Sequence, residues 1–362
     1  MELARKHPDS GLTAADSANS AAILLTGGDP AGVAPELLLQ LTADLAHSRA
    51  PVLYFATAGT AHIEQFLELC QSLDLRARLG SQPATGSQPT LGSQPATGIS
   101  VIDVRTAVPE TKAFEPRAGQ PDARGGRLAF EALRLACDFA VSSPCAGIVT
   151  APLSKEWVAR AGRKDFRGHT EYLAERFDRE VVMLMHGERF SVIPLTVHIA
   201  LSEVPAALRA RLAEPAVPRL LAEIMERPAY AGQRVAMCGL NPHCGDGGLF
   251  GSEDQEFVAD WCADVRASGI PLDGPLPADT LFTDGVRERY RLILSCYHDQ
   301  GLIPFKALEG HAGINATIGL PVPRTSPDHG TAFDIAGRGR ASPASLQAAF
   351  RAIESGALAA HT

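Results

Sequence analysis

The sequence predicts an α/β protein whose sheet is largely parallel and covered by helices on both faces. Three observations carry that expectation. Short apolar runs such as AAILLT, PVLYFA, VAMCGL and LILSC are continuous rather than alternating, the pattern of strands buried on both faces. Amphipathic helical stretches separate them. Gly- and Pro-rich loops close the runs, where α/β folds gather their chemistry. The 362 residues are 45% hydrophobic and 20% charged, enough core for two domains or one large one.

In chain order, residues 1–20 are small and polar and read as a disordered tail. AAILLTGGDPAG is a strand entering a loop, and APELLLQLTADLAH is a helix with Pro35 in its first turn. PVLYFATA is the next strand. Residues 80–98 repeat a six-residue GSQPAT-like unit three times, too short and polar for a solenoid, and read as a flexible surface insertion. RGGRLAFEALRLACDFAVSS is amphipathic, with Leu128, Ala132, Leu135 and Phe139 on one stripe and Arg127, Glu131, Arg134 and Asp138 on another. The strand CAGIVTAP follows. After it come the runs EVVMLM and FSVIPLTV, a helix near 213–226, the strand VAMCGL, a helix near 252–268, the strand LILSC and a last helix in ASPASLQAAFRAIESG.

Composition narrows the function. A net charge of −8 supplies no basic field for nucleic acid or anionic lipid, while leaving room for a local pocket for a small phosphorylated substrate. Seven scattered cysteines form no CxxC pair, which favours a reducing compartment over a disulfide framework or thiolate zinc site. The N-terminus lacks an apolar signal core and no segment approaches a membrane span, so a cytoplasmic protein is expected. GxGxxG after the first strand, GxxxxGK[ST] and HExxH are all missing.

Three histidines stand out: His198 in LTVHIALSEV, His243 in GLNPHCGDGGLFG and His298 in SCYHDQGLIPFK. Converging from separate loops, three neutral imidazoles would form an open divalent-metal site. Taken singly, each is equally at home as a hydrogen-bonding loop residue. Asp29 lies in a turn at the end of the first strand, either a plain turn residue or part of a crevice loop. GHTEYLAERF places Thr170 as the cap of a helix just after His169, a phosphate site or an ordinary N-cap. Asp279, Asp299, Lys306, Asn315 and Arg324 populate the loops that follow; carboxylates there orient ligands or act as bases, and the cations hold anions.

Read together, GDPAG, TAPLSK, GHTEYLAE, GLNPHCGDGGLFG, GPLPADTLF, YHDQGLIPFK, INATIGLP and RTSPDHGTAFDIAG resemble the 4-hydroxythreonine-4-phosphate dehydrogenase family, in order and in register from about residue 22 to 355. The resemblance implies a two-domain α/β/α fold like that of isocitrate and isopropylmalate dehydrogenases. The first domain would comprise 21–150 plus about 305–362, and the second about 151–304, with the metal ligands and dimer contacts. It implies metal ligation by His198, His243 and His298, and substrate contacts from His169, Thr170, Lys306, Asn315 and Arg324. Asp279 and Asp299 fall on acidic residues of the same site, and His329, Gly330 and Thr331 on the cofactor side. The implied cofactors are NAD or NADP and one divalent metal (zinc, magnesium or cobalt). A homodimer would complete each active site across its interface. The implied reaction is oxidation of 4-phosphooxy-L-threonine and decarboxylation of the product. Related substrates (erythronate 4-phosphate, an aromatic cis-dihydrodiol carboxylate) and a metal-dependent hydrolase or lyase are the alternatives.

Overall fold

The computed structural model describes residues 21–80 and 98–360. The expected tail, and the repeat apart from Gly80 and Gly98, lie outside the described residues.

β1 (Ala22–Thr26) is buried at every position, as its unbroken apolar run requires. α1 (Ala34–Leu45) turns Leu37, Leu38, Leu41 and Leu45 inward. β2 (Val52–Ala56) is followed by α2 (Thr60–Ser72), whose buried stripe Ile63, Phe66 and Cys70 is narrow enough to escape a reading of the sequence. β3 (Ala77–Leu79) and β4 (Ile99–Asp103) come next. α3 (Ala123–Ser142) is the long amphipathic helix, capped by Asp122, whose carboxylate accepts the Arg124 and Gly125 amides at 2.8 and 3.0 Å. Its expected apolar stripe is buried except for half-buried Leu135. Glu131 of the polar stripe is buried as well, paired with Arg134.

β5 (Cys145–Thr150), α4 (Lys155–Arg160), α5 (His169–Phe177), β6 (Val182–His186) and β7 (Ser191–Pro194) continue the chain. α6 (Val204–Leu212), α7 (Ala216–Glu226) and β8 (Val235–Cys238) follow. A π-helical turn, Asp254–Val258, runs into α8 (Ala259–Ala267), and then come β9 (Leu272–Leu276) and β10 (Leu292–Ser295). α9 (His298–Glu309), β11 (Ile314–Ile318), β12 (Arg324–Pro327) and α10 (Ala344–Glu354) complete it.

The twelve strands of the described residues form one sheet, in the order β3-β4-β2-β1-β5-β12-β11-β6-β7-β10-β8-β9. Eight of the neighbouring pairs are parallel, as expected. Three are antiparallel and adjoin one another at the centre: β12–β11, β11–β6 and β6–β7. Continuous apolar runs report burial on both faces, not strand direction, so this reversal was not visible in advance. The tight turn between β6 and β7 is held by the Glu309 carboxylate, which accepts the amides of Glu188, Arg189 and Phe190 at 3.0 Å each. β7, β10, β8 and β9 consequently run opposite to β1–β5. One apolar core runs through both halves, from Tyr54 and Phe66 to Trp261 and Leu294. Among the described residues no helix is long and apolar enough to cross a membrane.

Candidate active site

A cleft of about 640 Å³ opens over the antiparallel centre of the sheet. Its floor is Arg324, the first residue of β12, only 2% exposed. The guanidinium donates to Thr150 Oγ1 from Nε (3.0 Å) and Nη2 (2.6 Å), and to Thr317 Oγ1 from Nη1 (3.3 Å). No carboxylate of the described residues pairs with it, and burial lowers its pKa to about 9. A buried cation held only by hydroxyls is an unfavourable arrangement unless an anion arrives.

Two further unsatisfied groups line the same cleft: His169 Nε2 and Asn315 Oδ1, both buried without a hydrogen-bond partner. Burial holds the His169 imidazole well below its ordinary pKa, and the positive charges of Arg324 and Lys155 add to the effect. α5 begins at His169, with Gly168 in the cap position at φ +155°. A Cβ on Gly168 would stand 2.8 Å from Glu171 Oε2 and 3.2 Å from Lys155 Cε, so glycine fits there. This corrects the expectation for Thr170. It is the second residue of the helix rather than its cap, because glycine's backbone freedom makes the turn without a side-chain oxygen.

Of the residues singled out in the sequence, His169, Thr170, His198, Asn315, Arg324, His329 and Gly330 line the cleft. Lys306 stands beside it, its Nζ 3.1 Å from Asp328, which is itself part of the wall. Thr331 lies behind, its carbonyl accepting the Val33 amide at 2.9 Å. His198 and His298 come together, with ring centroids 5.7 Å apart, and His298 Nδ1 lies 2.6 Å from Asp299 Oδ1. His243 Nε2 lies 3.9 Å from Asp279 Oδ2, and both side chains are open to solvent. Among the described residues of one chain, no three His, Cys, Asp or Glu side chains are grouped as a metal site. His198 and His243 both have left-handed backbone, at φ +55° and +52°. Such conformations in non-glycine residues cost about 1–3 kcal/mol and persist where surrounding contacts impose them.

Lys155 and Arg211 also line the cleft, and the sequence reading passed over both. Lys155 stood in the TAPLSK motif as its signal; Arg211, on α6, had none. Asp29 does not line it. Its amide donates to the Pro152 carbonyl at 2.8 Å behind the wall, and burial raises its carboxyl to about 6.

Burial sets an expected pH response. His62 and His186 are pushed down to about 4 and about 3 by burial, and His169 well below its ordinary value. Below about pH 6.5 the unfolded chain therefore binds protons at these rings that the folded chain refuses, and stability falls as pH falls. Asp29 acts in the opposite sense between about pH 4 and 6, where the folded state binds the extra proton. With three histidines against one aspartate, melting temperature should drop steadily from pH 7 to pH 4.5. A flat or rising profile in differential scanning calorimetry would contradict it.

A mostly parallel α/β sheet with a buried guanidinium, unpaired with any carboxylate of the described residues, beneath an open cleft is an arrangement suited to a small anionic molecule. Residues 51–353 match the family model described as "Pyridoxal phosphate biosynthetic protein PdxA", and the chain belongs to that family. The 4-hydroxythreonine-4-phosphate dehydrogenase of Paracoccus denitrificans (strain Pd 1222) is 39% identical over 336 residues, covering 91% of this chain and 95% of the relative. The D-threonate 4-phosphate dehydrogenase of Salmonella typhimurium is 35% identical, covering 90% and 95%. The crystal structure of the 4-hydroxythreonine-4-phosphate dehydrogenase from Klebsiella pneumoniae superposes with a TM-score of 0.70 at 35% identity, covering 93% of this chain and all of that one. A terephthalate 1,2-cis-dihydrodiol dehydrogenase from Burkholderia xenovorans LB400 superposes with 0.60 at 25% identity, covering 93% and 98%. These relatives are dehydrogenases, and the chain is an oxidoreductase.

Proposed function

We propose that the protein catalyses metal-dependent, NAD(P)-linked oxidation of 4-phosphooxy-L-threonine to 2-amino-3-oxo-4-phosphooxybutanoate. That product loses carbon dioxide to give 3-amino-2-oxopropyl phosphate on the route to pyridoxal 5'-phosphate. The observation that carries the reading is Arg324, a buried cation with no anion of its own. Arg324, His169, Thr170 and Asn315 hold the substrate phosphate, and Lys306 reaches it from the Asp328 side. Remote binding of this kind supplies energy that orients the reacting carbon. On the expected domain division, the cleft draws residues 152–211 from one domain and 315–330 from the other.

The donor set fits a divalent metal: His198, His243 and His298 would hold it, and the Asp299 carboxylate on His298 Nδ1 is the partner a ligating histidine requires. A metal bound there would supply an electrophile for the substrate hydroxyl and the product carbonyl, and the nicotinamide would supply the hydride acceptor. Asp279 and Asp299 stand next to the rings, and one of the two carboxylates takes the hydroxyl proton. His329 and Gly330 offer the nicotinamide side of the cleft, with open space where a Gly330 Cβ would stand.

The described residues of one chain do not group all three ligands, and the surface suggests how they are united. Val197, Ile199 and Leu201 are exposed around His198, Leu249 and Phe250 beyond His243, and Ile303 on the same helix as His298. Apolar side chains ringing polar ligands in solvent are characteristic of an interface core. The reading is a homodimer that completes each site from both subunits.

The test is turnover with NAD or NADP and a divalent metal, followed at the NADH absorbance. 4-Phosphooxy-L-threonine, D-threonate 4-phosphate, erythronate 4-phosphate and a cis-dihydrodiol carboxylate are compared. The first should have the highest kcat/KM. Preference for the threonate would move the assignment to the hydroxy acid, as the Salmonella typhimurium relative suggests. Absence of NADH with every substrate would overturn the reading.

A further inference from the structure

From the contacts around the loop that carries His243 we infer that Asp254 is its positioning residue, an inference that rests on the metal site proposed above. The loop needs an external hold. His243, Cys244, Gly245, Asp246, Gly247 and Gly248 are six successive residues with positive φ (52°, 56°, 82°, 44°, 70° and 94°), and three of them are not glycine. Left-handed runs of L-residues do not persist on their own. The His243 ring gives no anchorage either, being exposed with Asp279 3.9 Å away. Whatever fixes the imidazole acts through the backbone.

Asp254 meets that need. It is 1% exposed and begins the π-helical turn Asp254–Val258. Its two carboxylate oxygens accept the Leu240 amide at 2.7 Å and the Asn241 amide at 2.9 Å, the last amides before Pro242 and His243. The next contacts extend the clamp. The Asn241 side-chain amide donates to Glu253 Oε2 at 2.8 Å, and the Cys244 amide donates to the Asn241 carbonyl at 3.0 Å. Glycines make room for it. A Cβ on Gly251 would stand 2.7 Å from the Asn241 side chain, and one on Gly239 would stand 3.2 Å from Asp254 Oδ1. A buried carboxylate bridging two backbone amides is a strong, directional hold, and a single insertion in the helix ladder is a common way of aiming a side chain at such a point.

The experiment titrates chelator-stripped full-length protein with cobalt(II), reading the visible absorption of the bound ion, alongside the melting temperature. Asp254→Asn should weaken cobalt binding at least tenfold. Glu309→Gln removes the same kind of carboxylate–amide clamp from the β6–β7 turn and should stay within about twofold of wild type. If Asp254→Asn does not fold, Glu253→Ala reads the same clamp from a half-buried position and should weaken binding about threefold or more. His243→Asn is the reference. If it binds cobalt like wild type, the metal reading fails and the role of Asp254 fails with it. If it loses cobalt while Asp254→Asn or, where that variant does not fold, Glu253→Ala binds normally, the metal site stands and the positioning role is overturned. Equal losses in Asp254→Asn and Glu309→Gln would also overturn it, as an effect of stability alone.

Discussion

Arg324→Met should lower kcat/KM for the phosphorylated substrate by roughly tenfold to a hundredfold and leave the melting temperature unchanged or higher. The first effect is the loss of a charge-assisted contact to an anion, about 1.5–3 kcal/mol. The second follows from the contacts of Arg324, which are hydroxyls from Thr150 and Thr317, with no carboxylate paired to it. Methionine keeps much of the volume and removes a buried charge that the empty protein does not neutralise. Function and stability should therefore move apart at this position. The checks are steady-state kinetics with the phosphorylated substrate and its unphosphorylated analogue, and a thermal melt of each protein. Unchanged discrimination in the Met variant would remove Arg324 from the anion site.

Stripping the protein with a chelator should reduce turnover to background, and adding back zinc, cobalt or magnesium should restore it. His298→Ala should lose more than about a hundredfold in metal affinity. Replacing a residue that only orients a ligand already costs tenfold to a hundredfold, so Asp299→Ala should fall in that lower range. His243→Asn is the cleaner change at the second ligand, because asparagine tolerates the left-handed backbone that His243 adopts. Metal content measured after gel filtration decides the matter. Full metal occupancy in His298→Ala, or full activity in stripped enzyme, would dismiss the proposed site.

The buried strands and the long helices were legible because periodicity and apolar continuity report burial directly. β1, β2, β8 and β10 lie in the runs that announced them, as does α3. α2 escaped notice because three buried side chains in thirteen residues make a weak stripe. The antiparallel centre was hidden because direction leaves no mark on composition. At the site, residue types were readable and their state was not. Arg324 belonged to a recognisable motif, yet nothing in the string says that its guanidinium is buried beside two threonines. His198 and His243 were visible as loop histidines. Their left-handed backbone was foreshadowed only by the glycines after His243, since a histidine carries little signal for positive φ. Asp254 had none, because its partners are main-chain amides thirteen and fourteen residues earlier in sequence.

The pairing at the outer edge of the sheet has a consequence for how the gene tolerates change. β3 lies parallel to β4, with Ala77 opposite Ile99 and Leu79 opposite Val101. The chain leaving Leu79 must therefore return to the starting end of β4, about 8 Å back and across. That return fixes a minimum length of a few residues between the two strands. The six-residue repeat sits in this tract. A deletion that fuses Gly80 to Ile99 would pull the edge strand off the sheet. The pairing of β3 with β4 thus sets a lower bound on the length of the chain between them, whatever its sequence.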